Sequence, residues 1–277
     1  GARAAMALRE QGFAGAVTII GDEPHAPYER PPLSKAALTD VTEPQAATIL
    51  SPERRAEHGI TLRTDTRVLS IDRARHRIAL SGGEELPYDR LLLATGARAR
   101  QVSIDGLARD AVLTLRTFDE ARALRARLRP GLRLAIIGGG FIGLELAAAA
   151  RVRGAEVTVI ELAPRLLARA VPADLAAIVA ARHQAEGVAI RTGVGIDRIE
   201  QGGDGRVLVL SSGERIACDL IVAGIGALPE TDLAARAGLA LDNGVAVDAR
   251  LATTDPDIFA AGDCCSFPHA LYDGRRL

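Results

Sequence analysis

The sequence predicts an α/β fold with a parallel β-sheet, and two observations carry that prediction. Strand patterns and helix patterns alternate along most of the chain, which is typical of proteins whose parallel strands are joined by helices. A glycine-rich turn at residues 138–143 stands between an apolar strand pattern and a helix pattern. With 277 residues, of which 48% are hydrophobic, the chain is long and apolar enough for about two domains.

The first part of the chain contains a helix followed by short strands. An alanine-rich helix is predicted over residues 2–11, and Gly12 ends it. A buried strand follows at residues 17–20, and a proline-rich loop at residues 24–32 comes next, since a helix cannot continue through consecutive prolines. Further strands are predicted at residues 60–63, 67–72, 76–80 and 91–93, the second and third facing each other across residues 73–75.

The second part begins with a capping box. Thr117 and Glu120 have the Thr-x-x-Glu spacing that starts helices, so a helix is predicted from there towards Arg129. Its arginines, between residues 122 and 129, are interpreted as a solvated face. The later predicted elements are a strand at 132–137, a helix at 141–153, a strand at 157–160, a helix at 172–186, strands near Val188, Ile196, Val207 and Leu220, and a last strand from Ile258.

Composition and charge argue against several function classes. The formal net charge is −1, aromatic residues are 3% and Trp is absent, whereas nucleic-acid binders are usually basic and often stack bases on aromatic rings. No apolar run has the length of a membrane span. The three cysteines form no C-x-x-C pattern and the five histidines are scattered, so we expect no metal site and a reducing, cytoplasmic location.

The glycine-rich turn reads Gly-Gly-Gly-Phe-Ile-Gly and matches the G-x-G-x-x-G pattern of dinucleotide-binding turns. In this pattern Gly138 permits a tight turn, Gly140 leaves room for a pyrophosphate, and Gly143 lets the helix pack closely on the strand. The backbone N–H groups at the helix start, at Phe141 and Ile142, then bind phosphates. The alternative is an ordinary glycine-rich turn without a ligand.

An acidic residue supports the dinucleotide interpretation. Glu161 ends the next strand, 23 residues after Gly138, close to the spacing of about 20 residues expected for a ribose acceptor. A 2′-phosphate would meet this carboxylate as a like charge, so the sequence favours NADH over NADPH. Arg165 and Arg169 weaken the preference, since either side chain could reach a phosphate.

The beginning of the chain is similar to the second half of another nucleotide-binding unit. Gly1 would be the last glycine of a phosphate turn, residues 2–11 its helix and residues 17–20 the following strand. Asp22 or Glu23 would then accept a ribose hydroxyl. The rest of this unit would precede Gly1, so we expect the natural protein to continue upstream. A solvated acidic turn is the alternative.

Four segments resemble FAD-dependent ferredoxin reductases, which serve Rieske dioxygenases and cytochrome monooxygenases and are related to rubredoxin reductases and apoptosis-inducing factor. The segments are residues 27–35 (Pro-Tyr-Glu-Arg-Pro-Pro-Leu-Ser-Lys), 94–100, 138–161 and 261–263, and they follow the order found in the family. The resemblance implies the fold of glutathione-reductase-like flavoproteins.

The fold implied by this resemblance has two Rossmann-like nucleotide-binding domains, with an NADH domain inserted in an FAD domain. The FAD-binding domain is expected at residues 1–106 and 231–277, and the NADH-binding domain at residues 107–230. The resemblance places Asp22 and Glu23 at the FAD ribose. The other FAD contacts that it implies are Arg30, Lys35, Val68, Thr95, Gly96, Arg100 and Asp263.

The resemblance also implies two catalytic residues. Lys35 is expected beside the flavin ring, where it supplies positive charge. Glu145 is expected to face the nicotinamide and to pair with Lys35, and Gly226 to line the nicotinamide pocket. The alternatives are a solvated lysine at position 35 and a helix-surface charge at position 145. Arg100 could likewise be an ordinary loop arginine.

The function implied is electron transfer from NADH through FAD to a ferredoxin or a rubredoxin-like protein. A disulfide or persulfide reductase on the same fold is one alternative, although Cys218, Cys264 and Cys265 lack the spacing of a redox pair. A second alternative is an NADH sensor similar to apoptosis-inducing factor, which signals through the contacts of a homodimer.

Overall fold

A computed structural model of the protein describes residues 1–40, 42, 44–102, 104, 111–202 and 205–276. The chain forms two compact units: unit 1 comprises Gly1–Glu29, Ala46–Arg98 and Leu228–Leu277, and unit 2 comprises Arg30–Gln45 and Ala99–Ala227. These units differ from the expected domain boundaries chiefly at Arg30–Gln45, which groups with unit 2. The residues around the expected boundary at 106–107 lie outside the described part of the chain.

The helices of the described residues follow the chain in this order: α1 (Ala2–Glu10), a 3-10 helix (Pro31–Ser34), α2 (Ala36–Thr39), α3 (Pro52–Glu57), α4 (Phe118–Arg127), α5 (Phe141–Val152), α6 (Ala173–Ala185), α7 (Asp232–Arg236) and a second 3-10 helix (Ala270–Tyr272). None of these described helices has the length and the apolar composition needed to cross a bilayer.

The strands up to residue 161 are β1 (Val17–Ile20), β2 (Ile60–Arg63), β3 (Val68–Asp72), β4 (Arg77–Leu80), β5 (Glu85–Pro87), β6 (Leu91–Leu93), β7 (Ala97–Ala99), β8 (Arg133–Ile137) and β9 (Glu156–Glu161). Those that follow are β10 (Val188–Thr192), β11 (Ile196–Gly202), β12 (Gly205–Leu210), β13 (Arg215–Cys218), β14 (Leu220–Ala223), β15 (Ala227–Pro229), β16 (Val245–Ala246), β17 (Ile258–Ala260) and β18 (Cys265–Ser266).

Unit 2 contains a four-stranded parallel sheet with the order β10-β9-β8-β14. Its strands are apolar runs because both faces are covered: every residue of β14 is buried, as are the three central residues of β8. Helix α5 packs on β8 and β9 and provides the crossover between them. This arrangement confirms the predicted α/β class with a parallel sheet.

A second sheet of unit 2 is antiparallel, with the order β11-β12-β13. Its apolar residues, among them Ile199, Leu208 and Leu210, share one buried cluster with Ile160 and Ile221 of the parallel sheet. The two sheets therefore share a hydrophobic core. Only the presence of strands near Ile196 and Val207 was predicted, not their antiparallel pairing.

Unit 1 is assembled from smaller parallel pairs. Strand β1 pairs with β2, and β6 pairs with β17, both in parallel register. Helix α1 buries Ala2, Ala5 and Met6 in a cluster with Leu50 and Ile60. The predicted hairpin at residues 67–80 is present as the antiparallel pair β3–β4, and β5 extends it.

The predicted capping box at Thr117 is present. The Thr117 hydroxyl accepts a hydrogen bond from the Glu120 N–H, and the Glu120 carboxylate accepts one from the Thr117 N–H. The helix that it starts runs to Arg127. Its arginines do not form one solvated face, because Arg125 is buried and donates hydrogen bonds to the carbonyls of Asp40 and Thr42.

Substitution of Thr117 by Ala should lower the free energy of unfolding by about 1 kcal/mol, since the N–H of Glu120 loses its side-chain acceptor. Urea denaturation followed by circular dichroism measures the change. The variant Thr117→Ser keeps the acceptor and serves as the control. Equal midpoints for Thr117→Ala and the wild type would show that the capping box does not stabilise the helix.

Candidate functional site

The turn after β8 is held in place by glycine contacts that a side chain would prevent. Gly138 has a φ of +107°, in the region that favours glycine. A Cβ atom at Gly138 would lie 2.6 Å from the carbonyl oxygen of Gly224. Gly224 follows β14, the neighbour of β8 in the sheet. The turn therefore lies directly against the adjacent strand connection.

Gly143 permits an even closer approach between helix α5 and the turn. A Cβ at this position would lie 2.1 Å from the carbonyl oxygen of Gly138. Gly140 is different, because a Cβ there would meet nothing within 4 Å. The two glycines thus divide the roles that the motif predicts: close packing at Gly143, and open space above the backbone at Gly140.

The beginning of α5 presents backbone N–H groups without a side-chain cap. Its N-cap is Gly140, no side chain caps it, and no acidic residue lies in its first turn. The first N–H groups of a helix lack intrahelical acceptors and carry the positive end of the helix dipole. The side chains of Phe141 and Ile142 are exposed here, at 58% and 44%. This arrangement fits a pyrophosphate, and the binding roles of these residues remain predictions.

Glu161 ends β9 beside the glycine turn. One of its carboxylate oxygens accepts a hydrogen bond of 2.7 Å from the Gly139 N–H, and the other accepts one of 2.7 Å from the Ala163 N–H. The carboxylate therefore joins the turn to the segment after β9. A ribose acceptor was predicted at this position, but the hydrogen bonds from the Gly139 and Ala163 N–H groups were not. An acidic residue at the end of a strand gives no sequence signal for such bonds.

Lys35 and Glu145 form an ion pair within unit 2, as the resemblance implied. The Lys35 Nζ lies 2.8 Å from Oε1 of Glu145. The buried hydroxyl of Ser34 donates a hydrogen bond to Oε2 of the same carboxylate. Burial raises the pKa of Glu145, but the hydrogen bonds from Lys35 and Ser34 outweigh it, so the net pKa lies below the ordinary value.

The sequence analysis did not select Ser34 as a site residue. It lies next to Lys35, inside the segment 27–35 that carries the family resemblance. This position was the one sequence feature that pointed to Ser34 as a site residue. Its contact with Glu145 spans 111 residues of sequence, and such a long-range contact cannot be inferred from spacing.

Several predicted FAD residues of unit 1 lie at strand ends. Thr95 and Gly96 follow β6, and Asp263 follows β17. Since β6 and β17 are parallel neighbours, their carboxyl ends lie at the same edge, where open α/β sheets bind ligands. The Thr95 hydroxyl donates to the Glu230 carbonyl at 2.6 Å, and Asp263 is exposed. Gly262, with a φ of +84°, has open space where a Cβ would be. The edge therefore fits a nucleotide.

Asp22 and Glu23 follow the end of β1, as predicted. Asp22 pairs with Arg67 at 3.0 Å, and Glu23 accepts a hydrogen bond from the Tyr28 hydroxyl. Val68 begins β3. Both carboxylates thus lie where a ribose acceptor is expected, and each also has a protein partner. Their roles toward FAD remain predictions.

Three further predicted residues lie in unit 2. The Arg30 guanidinium donates a hydrogen bond of 2.5 Å to the Arg116 carbonyl. The Arg100 N–H donates one of 2.9 Å to the carbonyl of Gly226, whose φ is +101°. The structure thus joins Arg100 and Gly226 through their backbones. The cofactor roles expected of Arg30, Arg100 and Gly226 remain predictions.

Burial makes Cys218 and Cys265 poor nucleophiles. Cys218 and Cys264 are buried, Cys265 is half-buried, and none of the three forms a disulfide. Burial raises the pKa of Cys218 to about 11 and also raises that of Cys265. The thiol of Cys264 lies 3.4 Å from the Leu93 carbonyl, within the core of unit 1. Within the described ranges, no group of His, Cys, Asp and Glu residues could hold a metal ion.

The fold and the glycine turn are typical of dinucleotide-binding proteins, and comparison with known proteins specifies the class. The sequence profile of the family described as pyridine nucleotide-disulphide oxidoreductase matches residues 1–275. The chain is 42% identical over 266 residues to a rubredoxin-NAD(+) reductase of Pseudomonas putida, an alignment that covers 95% of this chain and 69% of the relative.

Two solved structures are similar over nearly the whole chain. One is a ferredoxin reductase from Rhodopseudomonas palustris, with a TM-score of 0.93, 40% identity and coverage of 99% of this chain and 67% of that protein. The other is a putidaredoxin reductase in covalent complex with putidaredoxin, with a TM-score of 0.93, 37% identity and coverage of 100% and 68%. The chain spans about two thirds of the length of the curated relatives it matches.

The protein belongs to the pyridine nucleotide-disulphide oxidoreductase family. Within that family, it is similar to reductases of rubredoxin, putidaredoxin and ferredoxin. The predicted family resemblance, the fold class and the enzyme class, an FAD-dependent NAD(P)H oxidoreductase, are therefore confirmed.

The glycine contacts give a paired prediction. Gly143→Ala should lower the free energy of unfolding by about 1 to 3 kcal/mol, because the added methyl group overlaps the Gly138 carbonyl. Gly140→Ala should leave stability almost unchanged but weaken NADH binding, since the methyl group enters the open space above the turn. Thermal unfolding without nucleotide and NADH titration measure the two effects. Equal stability losses in both variants would contradict this division of roles.

Proposed function

We propose that the protein transfers electrons from NADH through FAD to a small iron–sulfur protein, a ferredoxin or a rubredoxin-like acceptor, of an oxygenase system. The observation that carries the proposal is the glycine turn with open space at Gly140 and the Glu161 carboxylate beside it. NADH binds at the glycine turn of unit 2. The named relatives support the acceptor, since one of them was solved in complex with putidaredoxin.

NADH rather than NADPH is the proposed donor. Glu161 presents a carboxylate where the adenosine ribose would lie, and a 2′-phosphate would be repelled there. Arg165 does not compensate, because its guanidinium donates to the carbonyls of Leu166, Leu167 and Ala168 at 3.3, 3.4 and 2.9 Å. Arg169 is exposed. A 2′-phosphate would therefore have to pair with Arg169 rather than with Arg165.

The residues proposed to hold FAD are grouped by unit. In unit 1, Asp22 and Glu23 accept ribose hydroxyls. The other proposed FAD contacts are Val68, Thr95, Gly96 and Asp263 in unit 1 and Arg30, Lys35 and Arg100 in unit 2. Bound FAD supplies the hydride-accepting and electron-passing chemistry, while the protein binds and orients the reactants.

Lys35 and Glu145 are the proposed catalytic pair. The ammonium group of Lys35 would supply positive charge beside bound FAD, which would favour electron uptake there. Glu145 is held ionised by Lys35 and Ser34, and it orients the nicotinamide together with Gly226. No covalent nucleophile and no general base is needed for hydride transfer, which suits a site without a reactive cysteine.

The raised thiol pKa values of Cys218 and Cys265 disfavour the rival disulfide or persulfide reductase. A buried thiol is predominantly protonated at neutral pH, and the thiolate is the reactive form. The absence of disulfides among the three cysteines also supports a cytoplasmic location. A flavin-bound NADH sensor that acts through a homodimer is the second alternative, and it differs from a reductase in passing electrons on slowly.

The test is reduction of a two-iron ferredoxin by the full-length protein, reconstituted with FAD and supplied with NADH. We expect flavin bleaching on NADH addition and multiple turnovers of ferredoxin, with the three thiols unchanged by thiol titration during turnover. Rapid flavin reduction without turnover of any ferredoxin or rubredoxin would favour the sensor. Thiol oxidation and reduction in step with turnover would favour the disulfide reductase.

Substitution of Glu161 by Arg should shift the ratio of kcat/KM for NADH over NADPH towards NADPH by at least about tenfold, because the like charge is replaced by an opposite one. Glu156→Arg, at the exposed far end of the same strand, is the matched control and should leave the ratio unchanged. An unchanged ratio in Glu161→Arg would remove Glu161 as the ribose acceptor.

A further inference from the structure

We propose that Ser34 is a positioning residue that fixes the orientation and the ionised state of the Glu145 carboxylate. The proposal concerns a residue to which the sequence analysis assigns no role. It rests on the proposed function in one respect, namely that Glu145 acts on the nicotinamide. The geometry of the contact itself is independent of that function.

The two oxygens of the Glu145 carboxylate have different donors. The Ser34 hydroxyl donates to Oε2, and the Lys35 ammonium group lies 2.8 Å from Oε1. With one donor on each oxygen, rotation of the carboxylate about its terminal torsion would break a hydrogen bond. That torsion is otherwise broad and weakly restricted. The pair of donors therefore determines the plane of the carboxylate.

Ser34 is the more rigid of the two donors. Ser34 is a buried residue, with 2% of its surface exposed, whereas half of the Lys35 side chain is exposed. Ser34 ends the 3-10 helix that begins with Pro31 and Pro32, and proline rings fix φ at two of its positions. The Lys35 side chain has four rotatable bonds and a solvated ammonium group. The Ser34 hydroxyl is thus the donor that determines the position of the Glu145 carboxylate.

The hydroxyl also stabilises the ionised form of Glu145. A hydrogen bond donated to a carboxylate favours its charged state and opposes the effect of burial. Lys35 is the charged group that acts on this carboxyl. Other ionisable residues lie on elements packed against α5. Among the described residues they are Arg133, Glu156 and Glu161 on β8 and β9, and Asp174, Arg182 and His183 on α6.

The test is titration of Glu145 in the FAD-reconstituted protein labelled with ¹³C at glutamate side chains, with the resonance assigned through its loss in Glu145→Gln. In Ser34→Ala the midpoint should rise by about one pH unit. Ser34→Cys, close in volume and a weaker donor, should raise it as well. Thr39→Ala is the control. The Thr39 hydroxyl donates to the backbone carbonyl of Lys35, so its loss should leave the midpoint unchanged.

A second measurement links the carboxylate to the reaction. The acid limb of the pH profile for flavin reduction by NADH should move upward in Ser34→Ala and not in Thr39→Ala. A Glu145 midpoint equal to the wild-type value in both Ser34 variants overturns the proposal, and so does an equal shift in Thr39→Ala. If wild-type flavin is not reduced by NADH at all, the proposed function fails, and the titration still decides the role of Ser34.

Discussion

The proposed nucleotide-binding end of unit 2 depends on the close approach of helix α5 to the carbonyl of Gly138. A side chain at Gly143 would bring a carbon within 2.1 Å of that oxygen, so the helix can start where it does only without one. The helix therefore begins beside the open space at Gly140, without a side-chain cap. A hydrogen bond also joins the end of β8 to the residue after β14, since the Gly224 N–H donates to the Ile137 carbonyl at 2.7 Å.

Glu161 connects this turn to the rest of the parallel sheet. Its carboxylate accepts backbone hydrogen bonds on both oxygens, and hydrogen bonds to charged groups contribute about 1.5 to 3 kcal/mol. The acid that is proposed to select NADH is thus also a structural member of the turn. The proposed selection of the donor and the stability of the glycine turn therefore depend on the same side chain, and a substitution at Glu161 is expected to affect both.

The sequence allowed the prediction of elements whose signals are local. The capping box at Thr117 and the strand–turn–helix at the glycine motif depend on neighbouring residues, and both are present. Contacts between distant residues were not predictable. Arg125 reaches the Asp40 carbonyl across 85 residues, so an arginine-rich helix that reads as solvated has a buried member. The grouping of Arg30–Gln45 with unit 2 arises from the same kind of long-range packing.

The environment of Glu145 shows how opposing effects on one carboxylate are balanced. Burial alone would favour the neutral acid, which could not hold Lys35 as an ion pair. Because the donors lower the pKa more than burial raises it, the folded protein binds this proton less tightly than the unfolded chain does. The ionised carboxylate therefore stabilises the fold above its unfolded-state pKa, and this contribution is lost as the pH falls through the folded-state pKa. At neutral pH the carboxylate stays charged and forms the ion pair with Lys35.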